Sequence, residues 1–285
     1  MFKNQILRIN RKIEKLHLKF CKRVLGVHSK STNIAVFGEL GRTPLIFQIA
    51  KLVIKYWFRI KSPFFSNTLV GEAAKACMEL KLKPIIFLRY TLQLCEDEHS
   101  ILQNQVSNLR TETFKLEKSV CHYVKRGLQN VFMRYWGEQV QLDKNGGKLR
   151  ILKKVKKHFE PEKYLFQITN FKHRQAVTKL RISAHKLTVE TGRYNNTPYK
   201  DRLCRFCDLN ALGDEHHFLM SCKNVKLLSL RSKLFEDLYK INSSFELFSS
   251  EELFMYIMAM KDESIMKVVA KFCFEVLTTF DSLLE

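Results

Sequence analysis

The run CRFCDLNALGDEHHFLMSC, Cys204 to Cys222, constrains the fold more than any other stretch of the chain. Two cysteines sit two residues apart, adjacent histidines follow at 216 and 217, and a third cysteine closes the run. A Cys-x2-Cys turn supplies two thiolates from one tight loop, and a second local element supplies the remaining ligands of a tetrahedral ion. Cys204, Cys207, one histidine and Cys222 form such a set. The nine residues between Cys207 and His217 let the chain return, and the four between His217 and Cys222 suit the second half of a small metal module, so His217 is expected rather than His216. The expected ion is Zn2+. Four good ligands close its shell, which points to a structural ion rather than one that activates water. Asp214 and Glu215 beside the set read as hydrogen-bonding support for the ligands rather than as a base.

The remaining five cysteines are scattered and read as buried thiols rather than a disulfide framework. Lys and Arg outnumber Asp and Glu by 49 to 28, a net charge of +21, which implies a polyanionic partner. No apolar run is long enough to span a bilayer and the first residues carry no secretory signal, so the expected location is intracellular, in cytoplasm or nucleus, with no membrane partner.

Five prolines and ten glycines in 285 residues, with apolar residues recurring three and four apart, predict a mainly α-helical fold. From Gln5 to Leu25 an apolar stripe (Ile6, Ile9, Ile13, Leu16, Phe20, Val24) runs beside a dense basic face. VFGELGRTPL (36–45) lacks the glycine spacing and the Lys-Ser/Thr of a phosphate loop, and a helix from Leu45 to Ile60 is expected after its proline. Further helices are expected over 68–82, 84–97 and 113–135. CEDEH (95–99) reads as a solvated helix end. Asn145-Gly146-Gly147 marks a turn and a boundary. Three regions follow: a helical N-terminal half (1–144), a basic helical connector carrying the small zinc knuckle (145–232), and an acidic helical tail (233–285).

Between Lys148 and Arg193 thirteen Lys or Arg face only three acids. Lys148, Arg150, Lys153, Lys154, Lys156, Lys157 and Arg174 are therefore candidate phosphate contacts. From Glu236 onward ten acids face four lysines, so that end is expected to pack protein rather than hold phosphate. A capping box, Ser249 to Glu252, opens one of its helices, and a last amphipathic helix is expected over 263–283.

The segments VFGELGRTPL, YWFRI, YWGEQVQLDKNGGKLRILKKVKKHFEPEKYL, LRISAHKLTVETGRYNNTPYKDRLCRFC and DEHHFLMSC, in this order, resemble the region downstream of the polymerase core in non-LTR (LINE-type) retrotransposon reverse transcriptases. The likeness spans residues 4–231 and is strongest over 180–222. It implies that Cys204, Cys207, His217 and Cys222 are knuckle ligands, that Arg181, His185, Arg193 and Arg202 form a polar face beside them, and that the region helps hold template RNA and target DNA. An aromatic-x-Asp-Asp polymerase motif and a downstream Pro-Asp nuclease motif are both missing, so no enzyme activity is expected. The expected function is non-catalytic binding of RNA or DNA. The alternative is a zinc-stabilised interaction module that docks a protein partner through the helices of 250–283.

Overall fold

A computed structural model describes residues 11–60, 63–80, 113–144 and 146–284. The chain is mainly helical, and among the described residues the one β feature is an isolated antiparallel bridge between Leu203 and Leu212. The helices are α1 (Arg11–Leu25), α2 (Asn33–Leu40), α3 (Leu45–Ile60), α4 (Pro63–Ser66), α5 (Leu69–Glu79), α6 (Thr113–Gln141), α7 (Arg150–Val155), α8 (Tyr164–Gln167), α9 (Phe171–Arg181), α10 (Thr188–Tyr194), α11 (Val225–Ile241), α12 (Ser250–Ala259) and α13 (Glu263–Ser282). The helix expected over 84–97 and the CEDEH run lie outside the described residues, as do residues 5–10 of the first expected helix.

The chain divides into two compact units, residues 1–17 with 43–138 and residues 18–42 with 139–285. In the first, α3 begins after Pro44, and the Leu45 N–H that its first turn leaves unpaired donates to the Glu14 carboxylate at 2.9 Å. Phe47 of α3 meets Phe132 of α6 edge to face, with ring centroids 5.7 Å apart.

In the second unit α13 packs along α9 and α11 around a continuous apolar core. Asn170, Asn224 and Asp262 cap the starts of α9, α11 and α13, and the expected Ser249–Glu252 capping box is present on α12. The acidic tail is no separate region. Leu253, Phe254, Ile257 and Met258 of α12, and Ile265, Val269, Phe272 and Val276 of α13, are buried in the same core as Leu180, Phe218 and Cys222. Apolar faces expected to dock a partner are thus turned into the unit's own interior. The tail's acids also meet the basic stretch at the surface, in Lys154–Glu251 (3.2 Å), Lys163–Glu263 (3.4 Å) and Lys186–Asp281 (3.8 Å) pairs.

Residues 18–42, expected to belong with the N-terminal half, join the second unit through Glu39. Glu39 lies on α2 and is fully buried; its carboxylate accepts from Arg181 Nε at 3.0 Å and from the Tyr164 hydroxyl at 2.7 Å. Gly41 ends α2 in the left-handed region (φ 57°), where a Cβ would fall 2.3 Å from the Pro161 nitrogen. A side chain there would be strained and would push this segment off its partner.

Candidate metal centre

Two short elements build the cluster. In the first, Cys204 N donates to Ala211 O (2.8 Å) and Gly213 N to Arg202 O (2.9 Å), folding 202–213 into a tight loop around the Leu203–Leu212 bridge. Asn210 takes positive φ (48°) at its turn, a conformation asparagine tolerates better than most residues. The second element is a π-helical turn, His217–Ser221, in which Cys222 N donates to His217 O five residues back (2.7 Å). In a regular α-helix residues five apart point about 140° away from each other. The wider π turn brings His217 and Cys222 to the same side, and such turns often mark functional positions.

One ligand atom from each of Cys204, Cys207, His217 and Cys222 lies within 4.8 Å of the others. Cys204 and Cys222 sulfurs are 3.9 Å apart, and Cys207 Sγ lies 3.4 Å from His217 Nε2. A tetrahedral ion with bonds of about 2.3 Å to sulfur and about 2.0 Å to nitrogen sets these edges at roughly 3.8 and 3.5 Å. The residues fit a metal ion. His216 points elsewhere, its Nε2 3.2 Å from Ser250 Oγ and its ring edge-on to Phe254.

Electrostatics divide the three thiols of the cluster. Burial pushes the Cys204 thiol up to about 12 and raises that of Cys222 as well. At Cys207 burial acts in the same direction but is outweighed by N–H groups of Leu209 and Lys223 aimed at the sulfur, and its thiol lies below the usual range. A cation among the three sulfurs would reverse the burial penalty and ionise all of them. Burial, then the charges of Arg231 and His216, hold the His217 imidazole below its ordinary value, in the neutral form that ligation requires. Asp214 Oδ1 accepts from the His217 backbone N–H (2.9 Å) and fixes the start of the turn. Buried Arg231 fixes its end, donating to Leu219 O (2.9 Å) and Cys222 O (3.1 Å). The other ring nitrogen of His217, Nδ1, is buried with no hydrogen-bond partner among the described residues, so packing on Phe218 orients the ring.

Beside the cluster lies an ionic network that the sequence does not announce. Glu215, fully buried, accepts from Arg150 Nε (2.9 Å) and Nη2 (2.5 Å), and lies 2.7 Å from His185 Nε2. Burial alone would raise its carboxyl, but His185 and Arg150 more than offset this and hold it at about 2. Arg150 also donates to Glu190 (2.6 Å), which in turn accepts from Arg193 Nε (2.9 Å). Arg181 is wholly buried between Glu39, the carbonyl of Met258 and Glu162; the last is a 3.1 Å charge contact rather than an aligned hydrogen bond.

This network corrects part of the expected nucleic-acid face. Arg150, Arg181 and His185 have side chains 11%, 0% and 1% exposed, and Lys156, 1% exposed, is bound to Glu162 and to Glu160 O. They are counter-ions of buried or half-buried glutamates, with their charge spent inside the unit rather than presented to solvent. Arg193 is tied to Glu190 and the Gly146 carbonyl. Arg202 donates to Thr197 O (2.9 Å) and Val189 O (3.0 Å), its stem packed on Gly192, where a Cβ would come within 2.6 Å of it. Half-buried Arg174 donates to Ile168 O (2.9 Å). Of the expected contacts, Lys153, Lys154 and Lys157 are exposed and Lys148 is half-buried.

No family model, curated protein or solved structure matches the chain. Among the described residues no helix is long and apolar enough to cross a membrane.

Proposed function

We propose that the second unit is a non-catalytic nucleic-acid-binding module held in shape by one Zn2+, comparable to the post-polymerase region of the LINE-type reverse transcriptases whose motifs it resembles. Zinc is the ion that a closed set of three cysteines and one histidine favours. The observation that carries the reading is a surface one. Lys148, Lys153, Lys157, Lys172 and Lys179 meet no acid among the described residues, although the acidic tail neutralises Lys154, Lys163 and Lys186 around them. Such a surplus repels itself and is relieved by a polyanion, whose released counterions supply the affinity.

The test is metal analysis of the purified protein together with titration of single-stranded RNA at several salt concentrations. The reading expects close to one zinc per chain and an affinity that falls steeply with salt. Affinity independent of salt, or a protein without zinc when purified without chelator, would count against it.

A further inference from the structure

One cavity in the second unit, of about 530 Å³, has a composition that the metal centre does not explain. Lys30, Lys148 and Lys179 reach its wall, and none of them meets an acid among the described residues. Its two acids are engaged: Glu190 by Arg150 and Arg193, Asp281 by Lys186. Behind Lys148 stands Lys22, whose Nζ donates to Ser29 O at 2.6 Å. Burial, and then the charge of Lys148, hold that amine below the ordinary lysine range. Four lysines, Lys30, Lys148, Lys179 and Lys186, thus line one cavity against two acids that already have partners. A pocket for inorganic phosphate alone would be small and polar throughout. This one falls within the roughly 300–1,000 Å³ typical of organic ligands, and Leu277 and Phe280 give it an apolar wall.

We propose that this cavity binds a nucleoside phosphate, with the phosphate against Lys30, Lys148 and Lys179 and the base on the wall of Leu277 and Phe280. The proposal rests on the nucleic-acid reading and deepens it by naming the group gripped: one nucleotide, free or at the phosphorylated end of a strand.

The experiment is calorimetric titration of the full zinc-loaded chain with AMP, adenosine and inorganic phosphate, and with a short oligothymidylate carrying either a 5′-phosphate or a 5′-hydroxyl. AMP should bind at least about tenfold more tightly than adenosine or phosphate, because only it uses both walls. Lys148→Gln with Lys179→Gln should weaken AMP by about a hundredfold, two charge-assisted contacts being lost, while the melting temperature holds. Exposed Lys30→Gln gives a second variant that does not depend on the folding of the first. A preference for the 5′-phosphorylated strand identifies a strand end as the source, whereas AMP binding with no such preference identifies a free nucleotide. No AMP binding at millimolar concentration, or binding untouched by both variants, overturns the proposal; if long RNA still binds, the nucleic-acid reading survives. AMP binding without any RNA binding supports the cavity and overturns that reading instead.

Discussion

Arg181 and Lys179 stand two residues apart on α9, yet they belong to different regions of the molecule. Arg181 is sealed inside, 0% exposed against Glu39, whereas Lys179 lines the cavity and meets no acid among the described residues. Charge of one sign therefore does two jobs. Interior cations (Arg150, Lys156, Arg181) neutralise glutamates and fix how segments meet. Surface cations keep their charge toward solvent, and the proposed function assigns that charge to a polyanion. Removing one partner of a buried pair strands a charge in low dielectric and costs several kcal/mol, while losing an exposed lysine costs almost nothing in stability and, on the proposed function, subtracts a phosphate contact.

That contrast can be broken at several levels. The largest effect is expected from the metal centre that closes the interior region. With free zinc about a thousandfold above its dissociation constant, the proposed ion would contribute about 4 kcal/mol to folding. Cys207→Ser should therefore lose the zinc and melt about 10 °C lower, as calorimetry with metal analysis can show. Full zinc content in that variant would remove Cys207 from the ligand set. His217→Ala should behave the same way, whereas His216→Ala should keep the metal, since His216 faces Ser250.

Next comes Glu39→Gln, expected to destabilise by about 3 kcal/mol because it leaves Arg181 buried with its main counter-charge gone. Denaturant unfolding checks this, and a change under about 0.5 kcal/mol would place the pair at the surface. Lys156→Gln follows at about 2 kcal/mol, since both the bond to Glu162 and the bond to Glu160 O weaken. Its three neighbours Lys153, Lys154 and Lys157, changed together to Gln, should shift unfolding by less than about 0.5 kcal/mol. Comparable losses for Lys156 and its neighbours would erase the distinction between the two regions.

The comparison also explains what the sequence could and could not tell. Helix α3 was legible from its periodicity after Pro44, α12 from its capping box, and the four cluster residues from spacing, because each signal is local. Helix α2 was not. It is eight residues long, carries a glycine within it and is buried on most of its surface, so no amphipathic stripe marks it. The fate of the arginines was equally hidden. Arg181 finds Glu39 across 142 residues of sequence and Arg150 finds Glu215 across 65, and a basic run looks the same whichever way its side chains turn. One clue was available. Glu39 sits alone in the apolar run AVFGEL, and an isolated acid on a buried face needs a buried cation.

The most direct test compares binding of single-stranded RNA across a salt series for the unmodified chain and for Lys153→Gln/Lys157→Gln/Lys172→Gln, three surface lysines that meet no acid among the described residues. Each lost phosphate contact should flatten the slope of log K against log salt by about 0.7, so the slope should fall by up to about 2 while the melting temperature stays put. The loss should be the same for unrelated RNA sequences. An unchanged slope and affinity would show that the exposed lysines hold no strand, and the division of charge between interior and surface would lose its functional meaning.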